Sequence, residues 1–167
     1  MRAAFALVAE VGLEGLRLRR VAAEVGIDQS TLHHHVATKA ELVAAVAEHA
    51  AALLATTAPP AHLAPRDALA AHLDALAGLV ASRPDLFTVT AELDLRARRD
   101  PTVREVVERQ EAGWRAVLTG LFTALGEPDA TARTELVIAA VKGVRLAPDL
   151  AAQVLAQVGA TGRGTTG

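Results

Sequence analysis

Three histidines stand side by side at positions 33–35, and their imidazoles could bind a metal ion, transfer protons or contact a partner. Adjacent side chains on a helix point about 100° apart, so three consecutive rings cannot converge on one ion. Helical metal sites pair histidines four residues apart, and no other histidine lies at that distance from the triplet. We therefore predict a contact surface here, with no metal site and no cofactor.

No catalytic set of residues is recognisable elsewhere in the chain. The segment ELDLRARRD at 92–100 places carboxylates beside arginines, which is typical of a helix surface with ion pairs. The sequence contains no nucleophile motif and no phosphate-binding loop. We expect that the protein is not an enzyme.

The elements that would position the triplet are predicted to be helices. Hydrophobic residues make up 51% of the 167 residues and aromatic residues only 2%, with few runs that alternate with polar residues. This composition favours an all-α fold. No cysteine is present, which excludes disulfides and agrees with a cytoplasmic location. No apolar run approaches the ~18 residues of a membrane-spanning helix, so we predict no membrane partner.

Apolar periodicity divides the first forty residues into three short helices. The first ends around Gly12 and Gly15, and its acidic residues favour a helix over an export signal. The second spans 18–25 and stops at Gly26, because glycine readily adopts the left-handed conformation of a helix cap. The third runs from Gln29 to about residue 36.

The second and third helices have the spacing of a helix-turn-helix motif. Asp28 is expected to cap the third helix with its side chain. On that helix Leu32 and Val36 are predicted to face the core, together with Ile27 from the turn. His35 is expected to pack or to contact the backbone.

The opposite side of the third helix is polar and is predicted to face outward. In a helix-turn-helix protein the first residues of the second helix of the motif meet base edges, and Gln, Ser and Thr can all hydrogen bond there. Arginine and lysine at neighbouring helix starts can meet phosphates or a guanine. The predicted DNA contacts are Arg19, Arg20, Gln29, Ser30, Thr31, His33, His34 and Lys39.

The alternative is a solvated polar face of an ordinary three-helix bundle, and the geometry alone does not separate the two interpretations. Charge by itself favours random surface charge, although its distribution also suits a DNA-binding protein. Residues 1–39 carry a net charge of +1, whereas residues 40–167 carry −3, as suits a DNA reader with an acidic body.

The rest of the chain is predicted to form a larger helical body. Thr38 and Glu41 have the spacing of a capping box, in which Thr38 meets the Glu41 amide and Glu41 reaches back. This box opens a fourth helix to about residue 55, and a proline-rich linker follows it. Further helices are predicted at 66–82, 85–98, 102–125, 130–147 and after Pro148. We predict a helix-turn-helix DNA-binding domain at 1–40, a helical effector-binding and dimerisation domain at 41–158, and a flexible tail at 159–167.

Residues 18–46 resemble the signature of the TetR-type transcriptional regulators. The matching residues are Val21, Ala22, Gly26, Ile27, Ser30, Thr31, Leu32, His35, Lys39 and Leu42. Two positions depart from the usual pattern: His33 replaces a phosphate-contacting tyrosine, and Val36 replaces phenylalanine. The chain also begins almost at the first helix, so we expect either a truncated N-terminus or a short first helix.

The resemblance implies a dimeric, ligand-responsive repressor that binds palindromic operator DNA, with its effector pocket among the central helices. Apolar helix faces there carry the candidate ligand-binding residues His72, Phe87, Gln110 and Trp114. A buried amide such as that of Gln110 needs a partner, which is either a core hydrogen bond or a ligand. A structural core is the alternative for each of these residues. The pocket would suit a small, largely apolar effector.

The helix at 130–147 has more apolar surface than one buried stripe needs, which predicts a homodimer through the helices near 130–158. The alternative function is a helical ligand-binding or protein-interaction module that keeps the fold without sequence-specific DNA binding.

Overall fold

The computed structural model describes residues 1–145 and 147–160, and this part of the chain is helical without a β-strand. The helices are α1 (Arg2–Gly15), α2 (Leu18–Val25), α3 (Gln29–His33), α4 (Lys39–Ala55), α5 (Pro65–Ser82), α6 (Pro84–Ala97), α7 (Pro101–Ala124), α8 (Ala130–Val144) and α9 (Ala151–Gly159). A 3-10 turn at Pro148–Leu150 precedes α9. The all-α prediction is confirmed. Most of the predicted tail lies outside the described residues.

Glycine interrupts α1 where the sequence predicts. Gly12 has φ 69° and ψ 173°, so the chain leaves the helical conformation there, but one further turn continues to Gly15. The Leu13 amide that follows the kink donates a 3.1 Å hydrogen bond to the Glu92 carboxylate on α6. A side chain from a distant part of the sequence thus accepts a hydrogen bond from a backbone amide that the kink leaves without a partner inside the helix.

The turn of the helix-turn-helix motif depends on Gly26, whose φ of 74° and ψ of 32° place it in the left-handed region as predicted. The prediction that the Asp28 side chain caps α3 is wrong, since only its backbone carbonyl accepts, from the Leu32 amide. Asp28 is exposed, so water can satisfy both its carboxylate and the first amides of the helix. The third helix ends at His33, three residues earlier than predicted.

The capping box at the start of α4 is confirmed in its first half. The Glu41 amide donates to Thr38 Oγ1 at 3.1 Å. The second half differs, because the Glu41 carboxylate accepts from the Ala37 amide at 2.9 Å. Glu41 therefore fixes the peptide one residue before the expected one.

Residue contacts divide the chain into two compact units. Unit one contains Met1–Leu53 and Asp85–Gln110, and unit two contains Leu54–Pro84 and the described residues from Glu111 onward. These units follow packing, so the functional boundaries predicted at 40/41 and 158/159 remain predictions. Within the described residues, no helix has both the length and the apolarity to span a membrane.

Each unit has its own apolar core. Unit one buries, among others, Val8, Leu16, Leu42, Val43, Val46, Leu86, Val89 and Val103. The core cluster of unit two consists of Leu69, Leu73, Leu76, Leu118, Phe122, Val137, Ile138, Val141 and Leu155. Each such side chain contributes about 1.5–3 kcal/mol through the area it removes from water. In unit two this burial holds α9 against α5 and α8.

Candidate nucleic-acid interface

Helix α3 is anchored on one side and open on the other. Leu32 is 9% exposed and provides the anchor, and Ile27 and Val36 are half-buried beside it. The residues predicted to contact bases, Gln29, Ser30 and Thr31, are all exposed. The burial thus matches the predicted orientation of the helix. It leaves three uncharged hydrogen-bonding side chains accessible in the first turn.

His33 forms two hydrogen bonds at the end of α3. Its Nδ1 lies 3.1 Å from the carbonyl oxygen of Ala37, and its Nε2 lies 3.2 Å from the amide nitrogen of Gln29. His34 and His35 are also exposed. The expectation that His35 packs is wrong, because His35 is exposed. Helix α3 ends two residues before it. Of the triplet, His33 is the histidine whose ring contacts the backbone.

The basic residues predicted to contact DNA differ in whether their charged groups have partners within the protein. Arg19 is exposed and forms no ion pair among the described residues, whereas Arg20 pairs with Glu10 at 3.2 Å. The ammonium of Lys39 lies 3.4 Å from the carbonyl oxygen of Glu14. Burial, together with the charge of Arg17, lowers the pKa of Lys39 below its usual value. Arg17, which was not among the predicted basic residues, lies two positions before Arg19 and donates a 3.0 Å hydrogen bond to the carbonyl oxygen of Leu16.

His72 and Trp114, two of the predicted ligand-binding residues, meet in unit two. His72 is 2% exposed, and its Nδ1 donates to the carbonyl of Thr57. Its Nε2 accepts from Trp114 Nε1 at 2.8 Å. Burial lowers the pKa of His72, although the bond to Thr57 opposes that effect. The ring is therefore held neutral with both nitrogens occupied, which leaves neither of them free for a ligand.

The other two predicted ligand-binding residues belong to unit one. Phe87 is buried on α6, and Gln110 is half-buried on the first half of α7. Gln110 and Trp114 are four residues apart and therefore share one side of α7, but the two halves of this helix belong to different units. A single site containing all four residues therefore remains a prediction.

A shallow, open depression along α7 in unit two was not predicted from the sequence. Its volume is about 610 Å³, and it is lined by Ala112, Arg115, Ala116, Thr119, Gly120, Thr123 and Ala124. Small residues recur every four positions along it, at 112, 116, 120 and 124, and this spacing was the available signal. All four of these small residues are exposed.

Helix α8 continues this pattern of exposed small residues beside α7. Arg115 on α7 pairs with Glu135 on α8, and Lys142 on α8 pairs with Glu111 on α7. We use the name small-residue face for the following exposed residues of the two helices: Ala112, Ala116, Val117, Gly120 and Ala124 on α7 and Ala132, Leu136, Ala139 and Gly143 on α8. Val117 is 42% and Leu136 is 47% exposed, so apolar surface remains uncovered there. Among the described residues, no three potential metal ligands cluster.

Two family models match the chain. Residues 1–46 match the model of bacterial regulatory proteins of the tetR family, and residues 64–153 match the model of the tetracyclin repressor-like C-terminal domain.

Solved structures share the fold. The chain is similar to a transcriptional regulator from Rhodococcus sp. Rha1, with 28% sequence identity, a TM-score of 0.84 and coverage of 95% of this chain and 91% of that one. It is similar in fold to GusR of Salmonella enterica, with 19% identity, a TM-score of 0.74 and coverage of 94% and 90%. A Saccharomonospora viridis protein solved with choline matches with 16% identity, a TM-score of 0.76 and coverage of 93% and 91%.

Proposed function

Because the chain belongs to the TetR family of transcriptional regulators, we propose that it is a cytoplasmic, homodimeric repressor that binds palindromic operator DNA and leaves it when a small effector binds. Membership of this family confirms the resemblance seen at residues 18–46. It also confirms that the protein is not an enzyme, since regulators of this family act by binding DNA.

The observation that carries the DNA proposal is the open polar turn at the start of α3. Gln29, Ser30 and Thr31 are exposed there, while Leu32 fixes the helix from the buried side. An α-helix fits the major groove of B-DNA, where amide and hydroxyl groups can bond base edges. The nearest carboxylate, on Asp28, precedes the helix. These side chains therefore suit base recognition without a repelling charge on the reading face.

Phosphate contacts are assigned to the basic residues around this turn. Arg19 is exposed without an ion pair among the described residues, and Lys39 stands at the start of α4. Phosphate contacts fix the register of a protein on the duplex without reading its sequence. The ring nitrogens of His33 are both engaged within the protein, so it is a poor substitute for the usual phosphate-contacting tyrosine.

The second half of the proposal is a two-fold dimer through the small-residue face of α7 and α8. Small side chains allow two helices to approach closely, and Val117 and Leu136 supply apolar surface to bury. Helix α8 belongs to the predicted interface at 130–158, but α9 packs on α5 and α8 and exposes Gln153 and Gln157. We therefore propose that α7, and not α9, forms the dimer interface together with α8. A two-fold axis would present two copies of α3 to a palindromic site.

Light scattering tests the dimer and its surface together. The parent protein is expected to be a dimer at micromolar concentration, and Leu136→Glu is expected to give a monomer because it places a charge in the apolar contact. Gln157→Glu on α9 is the matched control and should leave the dimer intact. A monomeric parent contradicts the dimer, and a dimeric Leu136→Glu with a monomeric Gln157→Glu assigns the interface to α9.

Effector release is proposed to act through unit one. The Glu92 carboxylate of α6 bonds the Leu13 amide of α1, and Arg96 lies 3.6 Å from Glu14. A displacement of α6 would therefore reach the helices that carry α3. A ligand can release DNA only if it favours a conformation with lower DNA affinity, and a coupling of ~1–3 kcal/mol is typical. The choline-bound relative supports a small-molecule role for this fold.

The fluorescence of Trp114 and the variant Gln110→Leu test where the proposed effector binds. A compound that releases the protein from its operator is expected to change the fluorescence of Trp114, and Gln110→Leu should change its affinity while leaving operator affinity unaltered. If a releasing compound affects neither measurement, the effector binds elsewhere.

Selection of bound sequences from random duplexes tests the DNA proposal directly. The parent is expected to enrich a palindrome, and Thr31→Ala should lose ~1–3 kcal/mol for each half-site of that palindrome because each protomer loses one base-reading group. Equal binding of random and enriched duplexes at moderate salt would favour a helical interaction module that has lost sequence-specific DNA binding.

A further inference from the structure

We propose that His33 is a positioning residue that orients the side-chain amide of Gln29 for the recognition of adenine. The inference rests on the proposed function, because it concerns how the first base-reading residue of α3 is presented to DNA. It is carried by the two hydrogen bonds of His33 and by the proton that each bond requires.

The partner of each ring nitrogen fixes the tautomer. The carbonyl oxygen of Ala37 can only accept, so the proton of a neutral His33 ring lies on Nδ1, 3.1 Å from that oxygen. Nε2 is then an acceptor, and it lies 3.2 Å from the amide nitrogen of Gln29. Gln29 must therefore donate one of its two N–H groups to His33. An amide rotated by 180° would point its oxygen at the acceptor nitrogen, which repels it.

The bond to His33 leaves Gln29 with one free N–H and one free carbonyl oxygen. In the major groove adenine presents the acceptor N7 beside the donor N6, which is the complement of that pair. Guanine presents two acceptors, N7 and O6, so the carbonyl of an oriented Gln29 would face an oxygen. Holding the amide in one orientation therefore favours adenine over guanine at the base that Gln29 meets.

The arrangement is anchored beyond the helix. Gln29 and His33 are four residues apart and share one side of α3, and the helix ends at His33 so that Ala37 can return to its ring. Ala37 is in turn held by Glu41 through a 2.9 Å bond from its amide to the carboxylate. The usual tyrosine at this position could not bridge in this way, because a phenol has only one polar atom.

The experiment compares bases selected from random duplexes by the parent and by the variants Gln29→Ala, His33→Phe and Gln29→Ala/His33→Phe. The base read by Gln29 is the one whose preference disappears in Gln29→Ala. His33→Phe keeps a ring of similar size but removes both nitrogens. It should lower discrimination of adenine from guanine at that base by roughly 5–150-fold, toward the level of Gln29→Ala. In the double variant, His33→Phe should have no further effect on that base.

His35→Phe is the matched control, because it removes an exposed neighbouring imidazole that lies outside this pair. It should retain the adenine preference. Thermal unfolding of each variant shows whether a change in selection reflects misfolding. Retained adenine preference in His33→Phe, or a parent that selects another base at the Gln29 position, overturns the positioning role alone. A parent that selects no sequence overturns the proposed function, and this inference with it.

Discussion

His33 and His72 use the same hydrogen bonds in opposite surroundings. In each ring Nδ1 is bonded to a backbone carbonyl, and Nε2 is bonded to a side-chain nitrogen. His33 is exposed at the end of α3 in unit one, whereas His72 is 2% exposed in unit two. Water can replace either bond of His33, whereas the bond from His72 to the Thr57 carbonyl is buried. The same pattern of hydrogen bonds is therefore exposed to solvent at His33 and part of a core at His72.

The same contrast separates the two regions around these histidines. The exposed turn of α3 has one buried anchor and offers its polar groups to a partner. The core of unit two occupies its polar groups internally, through Thr57, His72 and Trp114. Substitutions in the first region should change binding, and those in the second should change the free energy of unfolding.

The largest effect on the free energy of unfolding is expected from truncating a large buried side chain in the core of unit two. Phe122 is fully buried, so Phe122→Ala should lower the free energy of unfolding by about 3–5 kcal/mol through lost burial and a cavity. Thr31→Ala, on the exposed turn, should change it by less than about 0.5 kcal/mol. Urea denaturation of both variants measures the contrast. Similar losses in the two would contradict the distinction between the regions.

The same substitution at the two histidines tests the comparison most directly. His72→Phe leaves the buried Thr57 carbonyl without its partner, and a buried unsatisfied group costs about 1–3 kcal/mol. His33→Phe exposes its former partners to water and should leave the free energy of unfolding within about 0.5 kcal/mol of the parent. Equal destabilisation by the two would mean that burial does not decide the role of the ring.

The pH dependence of stability gives a smaller effect with a definite sign. Burial holds the pKa of His72 below its usual value, so the unfolded chain takes up a proton before the folded chain does. The free energy of unfolding should therefore decrease as pH falls below about 6.5, by at most ~1.4 kcal/mol per pH unit. Above that pH this histidine should contribute no slope.

Denaturation of the parent and of His72→Phe between pH 5 and pH 8 isolates this contribution. The variant should lack it, so the two profiles should converge at acid pH. Parallel profiles would show that His72 titrates alike in both states.

The smallest effect is expected on DNA affinity, from a basic residue at the edge of the proposed DNA-binding surface. Lys39→Ala should weaken binding to all duplexes similarly and reduce the slope of log affinity against log salt by about 1.8, since each of the two protomers loses one phosphate contact that contributes about 0.9. Filter binding between low and moderate salt measures that slope. A change confined to the preferred sequence would instead make Lys39 a base-reading residue.

Much of unit one could be predicted from the sequence because its signals are local. The apolar spacing of α2, the left-handed Gly26 and the Thr38–Glu41 bond all lie within a few residues of one another. The exposure of Gln29 and Thr31 followed from placing Leu32 inward. The Asp28 cap failed although its residue type was suitable, because an exposed carboxylate gains little from a cap that water can replace.

The contacts of the candidate effector-binding residues could not be predicted from local sequence patterns. Periodicity indicated that His72 and Trp114 lie on apolar faces, but not that they bond each other across 42 residues of sequence. It could not show that Gln110 and Trp114, on one helix, belong to different units. The spacing of four along α7 was visible, yet only the packed helices revealed that those small residues remain exposed.

The sequence by itself determined the helices, the turn at Gly26 and the polar character of the exposed side of α3, because each depends on interactions within about one helical turn. Only the tertiary structure decided the tautomer of His72, the satisfaction of the Leu13 amide by Glu92 and the surface left open on α7 and α8. These features depend on which distant segments meet, and a periodic pattern states only that a face is buried, not what covers it.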